Sequence, residues 1–322
     1  MTRADLDPQI VTRARGAMLG LAAGNQLAVP AERYATPQAI RVAFPNGLWD
    51  LAPPPDRSPY DDDTALTILL AESLVDRGDF DAVDVARRWV DWMKRDGRGL
   101  GAITAHALRL IDKGVEPFEA GRQVREDDPL SSAGNGAVMR CLPIGIRYHY
   151  NVDRLVRVST QQAAITHADE RCLWGAVAVN LAVRELLHGN SYFVDEVMHR
   201  IDGRAPRVLV AAIRRSLRED QAELPVTVEG QTGYVVHCVE TAFWFASHGR
   251  TLEDALVYLA QAGGDTGTNA AVTGALLGAR DGEVAVPQRW MGQLVEPRRL
   301  TRLAELLLET GREPAEREAG PE

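Results

Sequence analysis

Apolar residues recur at helical spacing along almost the whole chain, and no convincing run of alternating strand pattern interrupts them. That feature confines the chain to helical folds. In 64–75, Leu66, Leu69, Leu70 and Leu74 fall on one face, and in 81–94 Val85, Trp89 and Trp92 repeat the pattern. Segment 171–188 is small and apolar enough for a buried helix. Segments 233–247, 251–261 and 268–280 read as helices too, and 298–311 as a last amphipathic one. Alanine and glycine inside these helices imply close helix–helix contact. The pattern predicts an all-α protein with little or no sheet.

Composition removes several function classes. The net charge of −9 comes with no block of Lys or Arg, which argues against a nucleic-acid partner. The three cysteines, Cys141, Cys172 and Cys238, show no CxxC spacing, so neither a disulfide scaffold nor a zinc–thiolate site is expected. The first residues do not read as a signal peptide, and no apolar stretch approaches the roughly 20 residues needed to cross a bilayer. A cytoplasmic protein with no membrane partner is predicted. No Walker loop, dinucleotide fingerprint, nucleophile elbow or HExxH is present.

Three polar or Pro/Gly-rich loops, 45–61, 126–140 and 262–268, each run into a helical pattern. Asp61, Asp62 and Asp63 end the first, at the head of a helix. Helix capping would employ one or two of them, whereas three adjacent carboxylates repel. A hard cation explains the cluster better, and oxygen-only ligands favour Mg²⁺, Mn²⁺ or Ca²⁺ over zinc. Gly263-Gly264-Asp265-Thr266-Gly267-Thr268 precedes another helix; alone it reads as a capped turn, but it too presents oxygens at a helix start. Ser131-Ser132-Ala133-Gly134-Asn135-Gly136 permits close backbone approach to a ligand, although a Gly-rich loop by itself is a weak motif. His167 stands beside a helix start with Asp169 near it; a lone histidine is more often structural. Because only a shared cation makes both acidic helix starts sensible, Asp62, Asp63 and Asp265 are predicted to converge within about 10 Å.

Taken together and in order, five segments resemble the ADP-ribosylglycohydrolase family, which includes the dinitrogenase-reductase-activating glycohydrolases. Segment 16–32, GAMLGLAAGNQLAVPAE, is similar to the family's GxxxGxAxGDALGxPxE, and YDDDT at 60–64 to its TDDT. GNGAVMR at 134–140 with Pro143, Thr166-His167, and GGDTGTNAAVTGALLGA at 263–279 complete the set, which spans roughly residues 14–290. The resemblance implies one large orthogonal helical domain over 1–312, followed by a charged tail, 313–322, that reads as disordered. With the periodicity it implies more than ten helices, and it also implies a magnesium or manganese centre of one or two ions and hydrolysis of the bond between ADP-ribose and a protein side chain or small molecule; a monomer is expected. Carried over by position, Asp61, Asp62, Asp63, Asp265 and Thr268 are metal ligands, and Glu32, Asp62 and Asp63 catalytic groups. Ser132, Gly134, Asn135, Gly136 and His167 would bind the ADP-ribose.

The chain departs from the family's pattern. Asn25 and Gln26 stand where Asp-Ala is usual, Ala28 replaces a glycine, Asp61 replaces a threonine, and Gly267 replaces an aspartate that is normally a metal ligand. These changes leave three readings open: an active ADP-ribosyl hydrolase, a relative acting on another ribosyl compound or biosynthetic intermediate, or a catalytically weak binder of ADP-ribose with a degenerate metal site. Loss of the carboxylate at 267 predicts one well-bound ion and a second bound weakly or not at all, with Asp61 as partial replacement.

Overall fold

The computed structural model of the chain describes residues 6–52, 61–218, 220–228 and 230–311. Its central feature is the pairing of two small-residue helices, Pro8–Ala28 and Thr266–Asp281. Gly16, Gly20 and Gly24 lie four residues apart, which puts them on one ridge of the first helix. That ridge meets Gly278, Gly274 and Ala270 in reverse order, so the helices run antiparallel. A Cβ placed on Gly20 would stand 2.2 Å from the Gly274 carbonyl oxygen, and one on Gly274 would stand 2.1 Å from that of Gly20. Backbone here touches backbone, which is why the alanine and glycine content was informative.

The antiparallel pairing sets the last turn of the first helix beside the first turn of Thr266–Asp281, and Thr266 Oγ1 donates to the Ala28 carbonyl at 3.1 Å. The Asp62–Arg77 helix brings its own start to the same place, tied by Thr64 Oγ1, which donates to Asn25 Oδ1 at 2.9 Å. Three helix ends therefore meet at one end of the bundle.

Around this pair the expected helices form. Ala82–Arg95 buries Val85, Trp89 and Trp92, and Pro297–Gly311 buries Leu300, Leu303, Leu307 and Leu308. Glu170–Leu187 is buried along most of its length, as its composition implied. Among the described residues there are sixteen α-helices and no strand; the one β feature is an isolated antiparallel bridge between Gly134 and Tyr234. That bridge pins the Gly-rich 131–136 segment against 231–235. The three cysteines are buried and free. No described helix is long and apolar enough to cross a membrane.

Element boundaries differ from the sequence expectation in one place that matters. The 262–268 loop ends early, because the helix starts at Thr266, so Gly267 and Thr268 belong to its first turn. Most of the Pro-rich loop (53–60) and the tail expected to be disordered lie outside the described residues.

Candidate active site

The acidic helix starts do not cap their helices. Asp7, Asp81 and Asp169 each accept a hydrogen bond from a backbone N–H of the helix that follows, as an N-cap should. Asp61 and Asp265 occupy the same N-cap position but make no such bond. Their carboxylates turn into a cleft. Asn25 Nδ2 donates to Asp61 Oδ1 at 2.8 Å and to Asp63 Oδ2 at 3.2 Å, and Asn135 Nδ2 donates to Asp265 Oδ2 at 2.8 Å. Capping alone therefore fails to explain these residues.

One cavity of about 330 Å³ is lined by Glu32, Asp61, Asp62, Asp63, Gly134, Asn135, Gly136, His167, Asp265 and Thr268. Every candidate residue except Ser132 thus faces one space, including the aspartates expected to converge. Within it, Glu32, Asp61 and Asp63 each offer a carboxylate oxygen, all within 4.8 Å of one another. Asp62, Asp265 and Thr268 share the cavity but stand outside that close group. Ser132 opens instead onto an adjoining cavity of about 660 Å³, which shares Ala102, Ile103, Gly134, Thr232 and Gly233 with the first. The two chambers form one cleft with a glycine-lined neck. A larger cavity of about 740 Å³ around Phe118, Arg122 and Leu173 holds no acidic cluster, so volume does not choose the site.

The electrostatics are those of an anion cluster short of positive charge. Burial, then repulsion from Asp61, pushes the Glu32 carboxyl up to about 9. The same two causes raise Asp62 and Asp63 well above the ordinary carboxylate range. Burial also raises Asp265, against the Asn135 amide that favours its anion. Asp63 Oδ1 is buried with no hydrogen-bond partner. A buried orphan carboxylate oxygen beside two others is costly unless a proton or a cation joins it. The donors are all oxygen, the chemistry of a hard divalent ion, so the residues present fit Mg²⁺ or Mn²⁺.

His167 is held differently from the way its neighbours in sequence suggested. Asp169 caps the next helix and pairs with Arg171. The ring is fixed by Thr166, whose Oγ1 lies 2.7 Å from Nδ1 and accepts from Arg140 Nη2 at 2.6 Å. Arginine can only donate, which leaves the hydroxyl proton free for Nδ1, and on that arrangement we assign the ring proton to Nε2. Nε2 lies against Gly134 and Gly136, where a Cβ would stand 3.2 and 3.1 Å from it. Burial, and then Arg140, lowers the imidazole to about 3, so His167 is neutral and presents an N–H to the cleft. A histidine neutral when folded but with an ordinary value of 6.5 when unfolded destabilises the fold as pH falls. Between pH 6.5 and about 3 the expected slope is about 1.4 kcal/mol per pH unit. Urea unfolding of His167→Gln across that range should show a shallower acid limb than the unsubstituted protein; an identical limb would mean the ring titrates freely.

Sequence reasoning missed three parts of the site. Gly99 and Gly101 of the GRGLG stretch, 97–101, form one wall, and Gly99 (φ +79°) sits so close to Asp61 that a Cβ would stand 2.6 Å from the aspartate Cβ. Thr232 and Gly233 line the same cavity, where a Cβ at Gly233 would stand 3.2 Å from Asp265 Oδ2, and Tyr234 lines the adjoining one. Arg140 lies fully buried over the Trp89 ring at 4.1 Å, with Nε and Nη1 lacking partners, and burial lowers it to about 9. The clustered glycines at 97–101 and 230–233 were a readable signal; Arg140, Thr166 and His167 lie in segments that carry the family resemblance, but nothing in the sequence joins them into one chain.

The site and fold agree with known proteins. The model of the ADP-ribosylglycohydrolase family matches residues 6–317. The chain belongs to the ADP-ribosylglycohydrolase family. It is therefore a glycosyl-hydrolase-type enzyme acting on ADP-ribosyl bonds. Among relatives, ADP-ribosylarginine hydrolase Tri1 of Serratia proteamaculans is 26% identical, over 94% of this chain and 80% of that one. ADP-ribosylhydrolase ARH3 of Homo sapiens is 30% identical over 72% of this chain and 73% of its own. Among solved structures, one titled ADP-ribosylglycohydrolase-related protein complex superposes with a TM-score of 0.75 at 27% identity, covering 94% of this chain and 99% of that chain. Three of the five departures from the family's pattern, Asn25, Asp61 and Gly267, lie at the site, whereas Gln26 bonds Ala52, Gln293 and Val295 elsewhere. Asn25 donates to Asp61, so a carboxylate expected at 25 stands at 61 with an amide facing it. Beside Gly267, the Glu32 carboxylate lies where a side chain would begin.

Proposed function

We propose that the chain is a cytoplasmic, metal-dependent hydrolase of the glycosidic bond between ADP-ribose and a protein side chain or small molecule, using Mg²⁺ or Mn²⁺. The observation that carries this reading is the group of half-buried Glu32 with buried Asp61 and Asp63 at the acidic end of a two-chambered cleft. The reacting ribose sits in the smaller chamber and the nucleotide end in the larger one, beside Ser132, Arg171 and Tyr234. Chambers of about 330 and 660 Å³ fall in the range of small-molecule sites.

Glu32, Asp61 and Asp63 would hold the ion, with Asp265 and Thr268 beside them. Bound there, it supplies orientation of the ribose hydroxyls and a lowered pKa for the attacking water. The remaining chemistry belongs to the chain. Carboxylates facing C1′ stabilise the oxocarbenium-like state as the bond to the leaving group lengthens. Asp62 lies outside the close carboxylate group and serves as acid and base, taking the water's proton as the new C1′–O bond forms and passing a proton to the departing nitrogen or oxygen as its bond to C1′ breaks. His167 donates Nε2–H to a ligand oxygen, and Gly134 and Gly136 let the backbone approach it.

The acceptor named for Tri1 makes ADP-ribosyl-arginine the first substrate to test, with ADP-ribosyl-serine beside it. Purified protein should release ADP-ribose from one of them with Mg²⁺ or Mn²⁺ and lose that activity in EDTA. Stability supplies a second readout. A carboxyl raised from 4.5 to about 9 binds more protons folded than unfolded, so the metal-free protein should lose stability as pH rises from about 4.5 to 9. Added Mn²⁺ should restore it at the alkaline end. No release from either substrate, together with a melting temperature indifferent to Mn²⁺, would sink the reading.

A further inference from the structure

We propose that Gly267 is a positioning residue: the space left by its missing side chain seats the Glu32 carboxylate, which completes a cation-binding set with Asp61 and Asp63. This rests on the metal-dependent reading above and adds to it a reason for the glycine. A Cβ at 267 would stand 1.6 Å from Glu32 Oε1 and 2.7 Å from its Cδ. The carboxylate thus occupies the space where any side chain would start.

The backbone does not require glycine there. Residue 267 lies in the first turn of the Thr266–Asp281 helix and is not among the glycines with positive φ. Glycine is less favourable than alanine in a helix, by up to about 1 kcal/mol in the interior. What glycine supplies at 267 is therefore room. The other two members are held independently. Asn25 uses its oxygen to accept from Thr64 and its nitrogen to donate to Asp61 and Asp63, and Gly99 backs Asp61 from the far side. A separate observation says that this cluster lacks a ligand: Asp63 is 2% exposed, and its Oδ1 meets no hydrogen-bond partner. Measured against the family's pattern, carboxylates are lost at 25 and 267 and one is gained at 61, where Asn25 holds it, while Glu32 closes the gap at 267. The ligand set is rebuilt rather than degraded.

The obstructing atoms are the end of a flexible glutamate side chain, so Gly267→Ala should fold and push Glu32 aside. The test is calorimetric titration of the metal-stripped protein with Mn²⁺, checked by the EPR signal of free Mn²⁺. The unsubstituted protein should take up Mn²⁺. Gly267→Ala should weaken that binding by about tenfold or more, in the range seen when groups that orient metal ligands are removed. Its metal-free melting temperature should stay equal or rise. Glu32→Gln should weaken binding comparably, and the double variant no further, because both changes remove one contact. Gly267→Asp should also weaken it. If Gly267→Ala binds within threefold of the unsubstituted protein, or Gly267→Asp binds tighter or gains a second ion, the glycine is a lost ligand and the inference is wrong. If the unsubstituted protein takes up no Mn²⁺, the metal-dependent reading falls first and takes this one with it.

Discussion

Replacing Asp63 by asparagine is expected to lower ADP-ribose release by about 10³-fold while raising the melting temperature of the metal-free protein. The two effects share a cause. Asp63 is buried among Glu32, Asp61 and Asp62, and burial and these neighbours all disfavour its charged form. One of its oxygens receives the Asn25 amide and the other receives nothing. Without a cation the folded state must hold this group as a strained anion or take up a proton. Asparagine keeps the volume, keeps an oxygen for Asn25 and removes one like charge. The metal-free fold should gain about 1–2 kcal/mol on that account, and its melting temperature about 1.5–3 °C. With the carboxylate gone, Mn²⁺ should no longer stabilise the protein. Loss of activity together with a gain in stability is the mark of a site strained for function rather than for folding. A variant that keeps a tenth or more of the activity, or melts lower without metal, would show that Asp63 serves the fold instead.

How much of this was legible in the sequence follows from the kind of physics involved. The helices were legible because burial imposes a period, and Leu66, Leu70 and Leu74 or Val85, Trp89 and Trp92 repeat it. Asp61 to Asp63 and Asp265 were legible because acidic residues crowded at a helix start exceed what a cap can use. The family resemblance carried Glu32, which no local pattern marks: it is a single carboxylate just after a 3-10 turn, Val29–Ala31. The roles of Asn25 and Gly267 were not legible. At each, sequence showed only a departure, and the partner that explains it lies 36 or 235 residues away: Asp61 for Asn25, Glu32 for Gly267. Thr166 and Arg140 match the family's pattern, yet their link to each other was no more legible. Each is buried and polar, and its meaning is the atom it meets across the fold.

The glycine ridge makes the largest claim on stability. Gly274→Val is expected to lower stability by more than about 3 kcal/mol, and the melting temperature by roughly 4–5 °C or more, with loss of Mn²⁺ affinity in whatever remains folded. A Cβ at 274 would meet the Gly20 carbonyl oxygen at 2.1 Å, its carbon at 2.7 Å and the Leu21 nitrogen at 3.3 Å. All three are backbone atoms inside a buried helix, so no rotamer change can relieve the clash and the helices must part. Both are buried on nearly all sides, and a shift there disturbs several layers of packing together. Function is coupled to the same spacing. Glu32 hangs from the end of one helix and its seat at Gly267 opens the other, so separating the two withdraws the carboxylate from Asp61 and Asp63. Gly292→Val is the control: its Cβ would meet only the Arg289 carbonyl oxygen, at 3.9 Å, and its effect should stay within about 1 kcal/mol. Gly274→Ala should fall between the two and report the coupling most cleanly, with a folded protein, a lower melting temperature and weaker Mn²⁺ binding. Should Gly274→Val melt within about 1 kcal/mol of the unsubstituted protein, the two helices are not in the backbone contact that brings the three helix ends together.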